Sequence, residues 1–237
     1  MQDYSSLTNV YFIDIETVSQ SENYTDLDDK TKKFWDAKSE SISKEKTAEE
    51  IYDRAAIYSE FGKIVCISIG YIRQSNDAPA TFVAKSFYGD DEEKLLTDFA
   101  KMLHNQNIHT LCGHNIKEFD IPYICRRMLI NGIKIPPLIN VQGRKPWEIP
   151  FIDTLEMWKF GDYKHFTSLD LLTHIFGIKS PKGDINGSEV HDVYYKEHDL
   201  QRIWKYCEQD ILASAQVLLS LRGMEHLDNE NFISKTE

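Results

Sequence analysis

The 237-residue sequence lacks most of what marks membrane, secreted and fibrous proteins. It has four cysteines, Cys66, Cys112, Cys125 and Cys207, far apart and with no C-x-x-C pair. That excludes zinc-finger and thioredoxin-like chemistry. Three of them sit in apolar stretches, where a free thiol behaves as a small hydrophobe. The expected setting is a reducing cytoplasm. No apolar run approaches the ~18 residues of a membrane span, so no membrane role is expected. The opening MQDYSSLTNVYF has no basic segment followed by an apolar block, so no secretory signal is expected. No internal repeat is visible. Basic residues are in the minority, 27 against 38 acidic ones, for a net charge of −11. General nucleic-acid binding leaves a basic footprint, which this total does not show.

What is present is a globular composition, 41% apolar and 27% charged, enough to bury a core. Charge is uneven along the chain. Residues 20–60 are strongly acidic, whereas 113–147 carry Lys117, Arg126, Arg127, Lys134, Arg144 and Lys145 against Glu118 and Asp120. Short β-branched and aromatic runs predict strands over 9–15, 63–72, 81–88, 109–113 and 151–153. Helical spacing predicts helices over 91–104, 118–130, 168–176 and 197–221. Strands followed by alternating strand and helix predict one α/β domain, a mixed five-stranded sheet flanked by helices. Residues 19–60 break that rhythm. They read as a charged helical insertion with too few large apolar residues for a core of its own. Residues 133–150 hold four prolines and read as an extended loop. Residues after about 224 read as a frayed tail.

Acids then stand out by position. Asp14 and Glu16 are two apart in a strand, so they share one face. That pair also fits a solvated strand end. Asp120 opens a helix, a place that favours a carboxylate for its own sake. Asp210 lies in the last helix among apolar neighbours, with Tyr206 one turn before it. If all four acids converge, each like-charge pair at ~4 Å costs about 4 kcal/mol at an effective dielectric near 20. Protonation or divalent cations must relieve that cost, and all-oxygen ligands suit Mg²⁺ or Mn²⁺.

Three motifs in order then carry a resemblance: FIDIET (12–17), GHNIKEFDIPYICRR (113–127) and YCEQD (206–210). Together they resemble the DEDD superfamily of 3′–5′ exonucleases, in particular the proofreading exonuclease domain of family B DNA polymerases. The likeness spans nearly the whole chain except 19–60. It implies a ribonuclease H-like fold. Tyr206 four residues before Asp210, with Lys205 where another subgroup has His, resembles the tyrosine subgroup.

The resemblance implies two divalent cations, Mg²⁺ or Mn²⁺, on Asp14, Glu16, Asp120 and Asp210. Tyr206 would orient the attacking water. Nucleoside 5′-monophosphates would leave single-stranded or frayed DNA 3′ ends. It also implies substrate contacts from Asn115 and Phe119, and a minor or structural role for His114. From the residues alone, Asn115 equally suits a turn or cap, and Phe119 a core position. Asp153 and Asp170 read as capping or strand-end acids. Arg126 and Arg127 read as a solvated face that could touch a backbone, and Lys179 and Lys182 as loop lysines near phosphate. Trp147, Trp158 and Phe166 are candidates for base stacking. A proofreading role would need a separate polymerase or repair partner. Two alternatives remain at this point: an RNA-trimming enzyme of ribonuclease D type, and a non-catalytic binding module on the same fold.

Overall fold

The computed structural model describes residues 3–74, 78–104, 108–162, 166–178 and 185–237. Lys179 and Lys182 lie outside them. Among the described residues, no helix is long and apolar enough to cross a membrane.

The run VYFIDIETVS forms the central strand β1 (Val10–Ser19), buried on both faces as its near-continuous apolar character requires. Strand β2 (Gly62–Arg73) pairs with it antiparallel, setting Asp14 opposite Ser68 and Glu16 opposite Cys66. The register then jumps between Glu16 and Thr17, a bulge of the kind that re-aims side chains beside functional sites. Strand β3 (Thr81–Tyr88) continues the antiparallel run. On the other side of β1, β4 (Thr110–Gly113) and β5 (Ile152–Asp153) are parallel.

The expected five strands are joined by a sixth, β6 (Phe232–Ser234), giving the order β5-β4-β1-β2-β3-β6. The segment expected to fray is therefore anchored. Leu227 is buried, and its N–H and C=O are both held by the Gln216 side chain at 2.9 Å. Phe232 stacks on Phe82 with ring centres 6.2 Å apart. Three residues of strand carry no readable period, which is why the pattern missed them.

Helices cover both sheet faces. On one, α2 (Glu92–Leu103) and α3 (Asp120–Ile130) pack Leu96, Phe99, Ile124 and Met128 against Ile13, Ile67 and Ile69. Asp91 caps α2, its side chain accepting from the N–H of Lys94 at 2.9 Å. Arg127, read as solvated, is instead buried in a two-point ion pair with Glu92. On the other face lies the long α7 (Leu200–Leu221), whose Ile211, Ala215 and Leu218 meet Val10 and Phe12. Side chains two apart share a face, so the row Val10, Phe12, Asp14, Glu16 looks toward α7.

The insertion is built on α1 (Asp29–Ile42), capped by Asp28. It does have a core, contrary to expectation. Trp35 is fully buried among Leu27, Ile51, Tyr52 and Ala55, ringed by Tyr24, Tyr58 and Phe61. Its aromatics, scattered over some 40 residues, formed no period. We expect Trp35→Ala to cost this subcore about 3–5 kcal/mol. Hydrogen exchange should then speed up across 27–58 while Leu218 and its neighbours stay protected. Uniform exchange across the whole chain would contradict a separate insertion core.

The remaining helices are short. α4 (Thr154–Lys159) and α5 (Leu169–Ile175) follow β5, and the single turn α6 (Val190–Asp192) runs into a π-helical turn, Val193–Glu197, before α7.

Candidate active site

The bottom of the site is the β1 row. Asp14 is half-buried and Glu16 is 7% exposed. The third acid reaches them through the loop between β4 and α3. That loop starts at Gly113, where a Cβ would sit 2.2 Å from the Ile116 side chain and 2.6 Å from the Ile13 carbonyl oxygen, so only glycine fits. Asn115 follows with φ +67°, a left-handed conformation that asparagine tolerates. The chain then turns into α3, and the Asp120 carboxylate accepts the N–H of Ile15 at 3.1 Å. Asp120 is thus fastened to the backbone between Asp14 and Glu16.

Asp153 holds this loop in shape. Its carboxylate accepts the N–H groups of Asn115 and Lys117 at 3.0 and 3.1 Å, and also those of Leu155 and Glu156 at the start of α4. The capping role was legible. The tie to a loop 38 residues away was not.

From α7 come Tyr206 and Asp210, one turn apart on the same helix. The helix also supplies Cys207, which no motif argument singled out. Its Sγ lies within 4.8 Å of the carboxylate oxygens of both Asp14 and Glu16. Its thiol donates to the Asp14 carbonyl and carboxylate oxygens at 3.5 and 3.4 Å.

The electrostatics follow from burying acids together. Burial raises Asp14, and the charges of Asp120 and Asp210 add to it. Burial raises Glu16 too, reinforced by Asp14 and Asp210. Asp120 and Asp210 are each lifted to about 7, again chiefly by burial, although hydrogen bonds from the backbone and from Tyr206 oppose it. The Tyr206 phenol is pushed well above its ordinary value by burial and by Asp210, Glu16 and Asp14, so it keeps its proton. Among the described residues, no lysine or arginine forms an ion pair with any of the four acids. Glu16 accepts no hydrogen bond from any described residue. Buried carboxylates without a cation are costly, and these four offer oxygens suited to a hard divalent ion. The donor set therefore fits a divalent metal.

Residues 57–237 match the family described as a predicted 3′–5′ exonuclease related to the exonuclease domain of PolB. The chain belongs to that family. The match takes in Asn115, Asp120, Tyr206 and Asp210, whereas Asp14 and Glu16 precede it and join this PolB-exonuclease relative's acid cluster through the sheet. An uncharacterised protein of Methanocaldococcus jannaschii is 29% identical over 124 residues, which is 50% of this chain and 66% of that protein. In structure, the chain is similar to the family B DNA polymerase of the hyperthermophilic archaeon Pyrobaculum calidifontis. The TM-score is 0.52 at 14% identity, over 89% of this chain and 24% of the polymerase. That likeness is one of fold, and it agrees with the expected ribonuclease H-like arrangement in a mixed, helix-flanked sheet.

The expected substrate contacts divide. Asn115 lines an open cavity with Lys117, Pro146, Ile149, Asp153 and Lys159. Phe119 is half-buried and packs its ring 5.5 Å from that of Tyr123. Both ring nitrogens of His114 are engaged within the protein: Nε2 with the Thr167 carbonyl at 2.8 Å and Nδ1 with the Thr154 hydroxyl at 2.9 Å. Its ring is free only at its edges and face. Burial pulls its pKa down, so it is neutral at pH 7.

Proposed function

We propose that the chain is a 3′–5′ exonuclease acting on single-stranded or frayed DNA 3′ ends, with Asp14, Glu16, Asp120 and Asp210 holding two divalent cations, Mg²⁺ or Mn²⁺. The observation that carries this reading is that β1, α3 and α7 bring four acids within electrostatic reach of one another, unpaired with any described cation, with Asp14 and Glu16 oxygens within 4.8 Å of each other and a phenol one turn from Asp210. When bound, such ions neutralise charge on the phosphate and leaving oxygen and make water more acidic.

The chain's own residues do the rest. Tyr206 keeps its proton and therefore acts as a hydrogen-bond donor, orienting the incoming water oxygen for in-line approach. It is not the base. Its place one helical turn from Asp210 puts that donor beside the acids. Asn115, held at positive φ by the Asp153 clamp, projects from the loop toward the cavity that a terminal nucleotide would approach. The new P–O bond forms from water as the P–O3′ bond breaks. The departing 3′ oxygen takes a proton, and a nucleoside 5′-monophosphate is released.

The test uses matched 5′-labelled DNA and RNA oligonucleotides, with Mn²⁺ or with EDTA. A one-nucleotide ladder from the DNA 3′ end, abolished by EDTA, is expected. Faster trimming of RNA would reassign the substrate, and no ladder with either would leave a binding module. Tyr206→Phe should lower turnover about 10- to 100-fold, the worth of one well-placed hydrogen bond, with Mn²⁺ affinity by calorimetry unchanged.

A further inference from the structure

Two large aromatic rings stand in solvent, one beside His114 and one on a turn that shares a cavity with Asn115. Trp147 is 77% exposed and Phe166 is 68% exposed. The Phe166 ring lies 6.4 Å from the His114 ring, and the neighbouring Thr167 carbonyl is bonded to His114 Nε2. Trp147 sits in the short turn Pro146–Glu148, and Pro146 lines the same cavity as Asn115. The Phe166 ring thus lies against His114 and the Trp147 turn borders the cavity that Asn115 lines, although the two come from segments of the chain about 20 residues apart.

Both rings are held rather than dangling. The Trp147 turn is closed by the Lys145 N–H donating to the Glu148 carboxylate at 2.9 Å and by the Glu148 N–H donating to the Lys145 carbonyl at 2.9 Å. The Lys145 ammonium lies 5.3 Å from the Trp147 ring centre. The other three tryptophans are committed to packing. Trp35 is buried, Trp158 meets Phe176 edge-on at 5.7 Å, and Trp204 packs on Tyr88 at 6.1 Å.

The cavity itself is lined by Lys117 and Lys159 against Glu118, Asp153 and Glu156, with Lys117 paired to Glu156; further cations stand near the Trp147 turn. Arg144, Lys145 and Lys159 form no ion pair among the described residues, in a chain whose net charge is −11. The cavity holds about 200 Å³ and mixes Ile149, Leu155 and Pro146 with the polar groups. Exposed aromatic faces near cations are how proteins hold unpaired bases regardless of sequence.

We propose that Trp147 and Phe166 form a stacking platform for the unpaired bases of a nucleic-acid strand, one ring against His114 and the other on the turn that borders the Asn115 cavity. It rests on the exonuclease reading for the strand's polarity, not for the stacking itself. A paired end offers no free base faces to both rings, so the platform selects frayed or single-stranded ends over blunt duplex.

Binding is measured in EDTA at low salt, where cleavage is silent, by quenching of intrinsic tryptophan fluorescence. The probes are a short single-stranded DNA, an abasic strand of equal length and charge, and a blunt duplex. The single strand should bind the wild-type protein best. Trp147→Ala and Phe166→Ala, followed by anisotropy of a labelled strand, should each weaken it about 5- to 100-fold. Phe34→Ala, an equally exposed ring on α1, should not. The abasic strand should bind the wild type about as weakly as the single strand binds the variants. Equal binding by variants and wild type, equal binding of the abasic strand, or no binding by the wild type would each overturn the proposal. With Mn²⁺ present, the variants should raise KM and leave kcat nearly unchanged. Stacking without any hydrolysis would sink the exonuclease reading alone, and hydrolysis without a stacking effect would sink the platform alone.

Discussion

Asp14→Asn is expected to abolish metal-dependent hydrolysis and, in metal-free protein, to raise thermal stability. Both effects come from the same charge. Asp14 lies within 4.8 Å of Glu16 and feels the charges of Asp120 and Asp210, and in the exonuclease reading it would help hold the cations. Removing it should cost several kcal/mol of transition-state stabilisation, a loss of about 1000-fold or more in kcat. The fold should tolerate the change, because the Asn carbonyl oxygen can still accept the Cys207 thiol that Asp14 accepts at 3.4 Å. Without metal, a repulsive charge has gone, and the melting temperature should rise by about 2–8 °C at pH 8.

The pH dependence gives the same prediction a second edge. In the unfolded chain these carboxylates lose their protons near the ordinary value of 3.8, whereas folded Asp120 and Asp210 hold theirs to about 7. Between those values the folded state binds more protons, so raising the pH favours unfolding. Metal-free protein should therefore lose stability from about pH 4 to about pH 7, with the raised Asp14 and Glu16 adding to the loss in the same direction. The stabilising effect of Asp14→Asn should shrink toward pH 5, and Mn²⁺ should reverse the trend in the wild type alone. A wild-type protein whose metal-free stability climbs with pH across that window would refute the buried acid cluster.

The pairs within this site were legible because each is local. Asp14 and Glu16 follow the two-residue period of a strand, and Tyr206 and Asp210 follow one helical turn. Joining the pairs is not local. It depends on β1 packing against α7 and on the Ile15 N–H meeting a carboxylate 105 residues away. Recognition of motif order, rather than periodicity, brought Asp120 in. Cys207 sat in plain view inside YCEQD, but nothing in its spacing tells a thiol against Asp14 from one in an apolar core. Asp153 was legible as a cap, whereas its second pair of N–H partners exists only in the folded loop.

The fold shows the same division. Strands buried on both faces, such as 9–15 and 63–72, announce themselves by continuous β-branched and aromatic residues. What escaped notice is held by single long-range contacts. β6 is fixed by hydroxyls as much as by pairing: Ser234 donates to the buried Glu208 carboxylate at 3.1 Å, and Thr236 donates to the same oxygen. Glu208 neighbours the site residues on α7, so the edge strand and the acid cluster share one helix.

Arg127→Leu is expected to cost about 3–5 kcal/mol of stability, the penalty for leaving a buried carboxylate without its partner. Arg127 and Glu92 side chains are only 5% and 8% exposed. The guanidinium gives Nε to Glu92 Oε1 at 2.9 Å and Nη2 to Oε2 at 2.5 Å, and it gives Nη1 to the Ser59 carbonyl at 2.9 Å. Glu92 in turn accepts the Ile64 N–H at 2.7 Å and the Asn131 amide at 3.1 Å. One ion pair thus ties α2, α3, β2 and the last turn of the insertion. A urea midpoint should fall accordingly, and Glu92→Gln added to Arg127→Leu should recover a good part of the loss, because no buried charge is then left alone. Activity per folded molecule should change little, since Asp120 two turns away is held independently by the Ile15 N–H. A cost below about 1 kcal/mol would show that water reaches Glu92 and that the pair is a surface one. A collapse of activity at full stability would mean instead that α3 transmits its packing to Asp120.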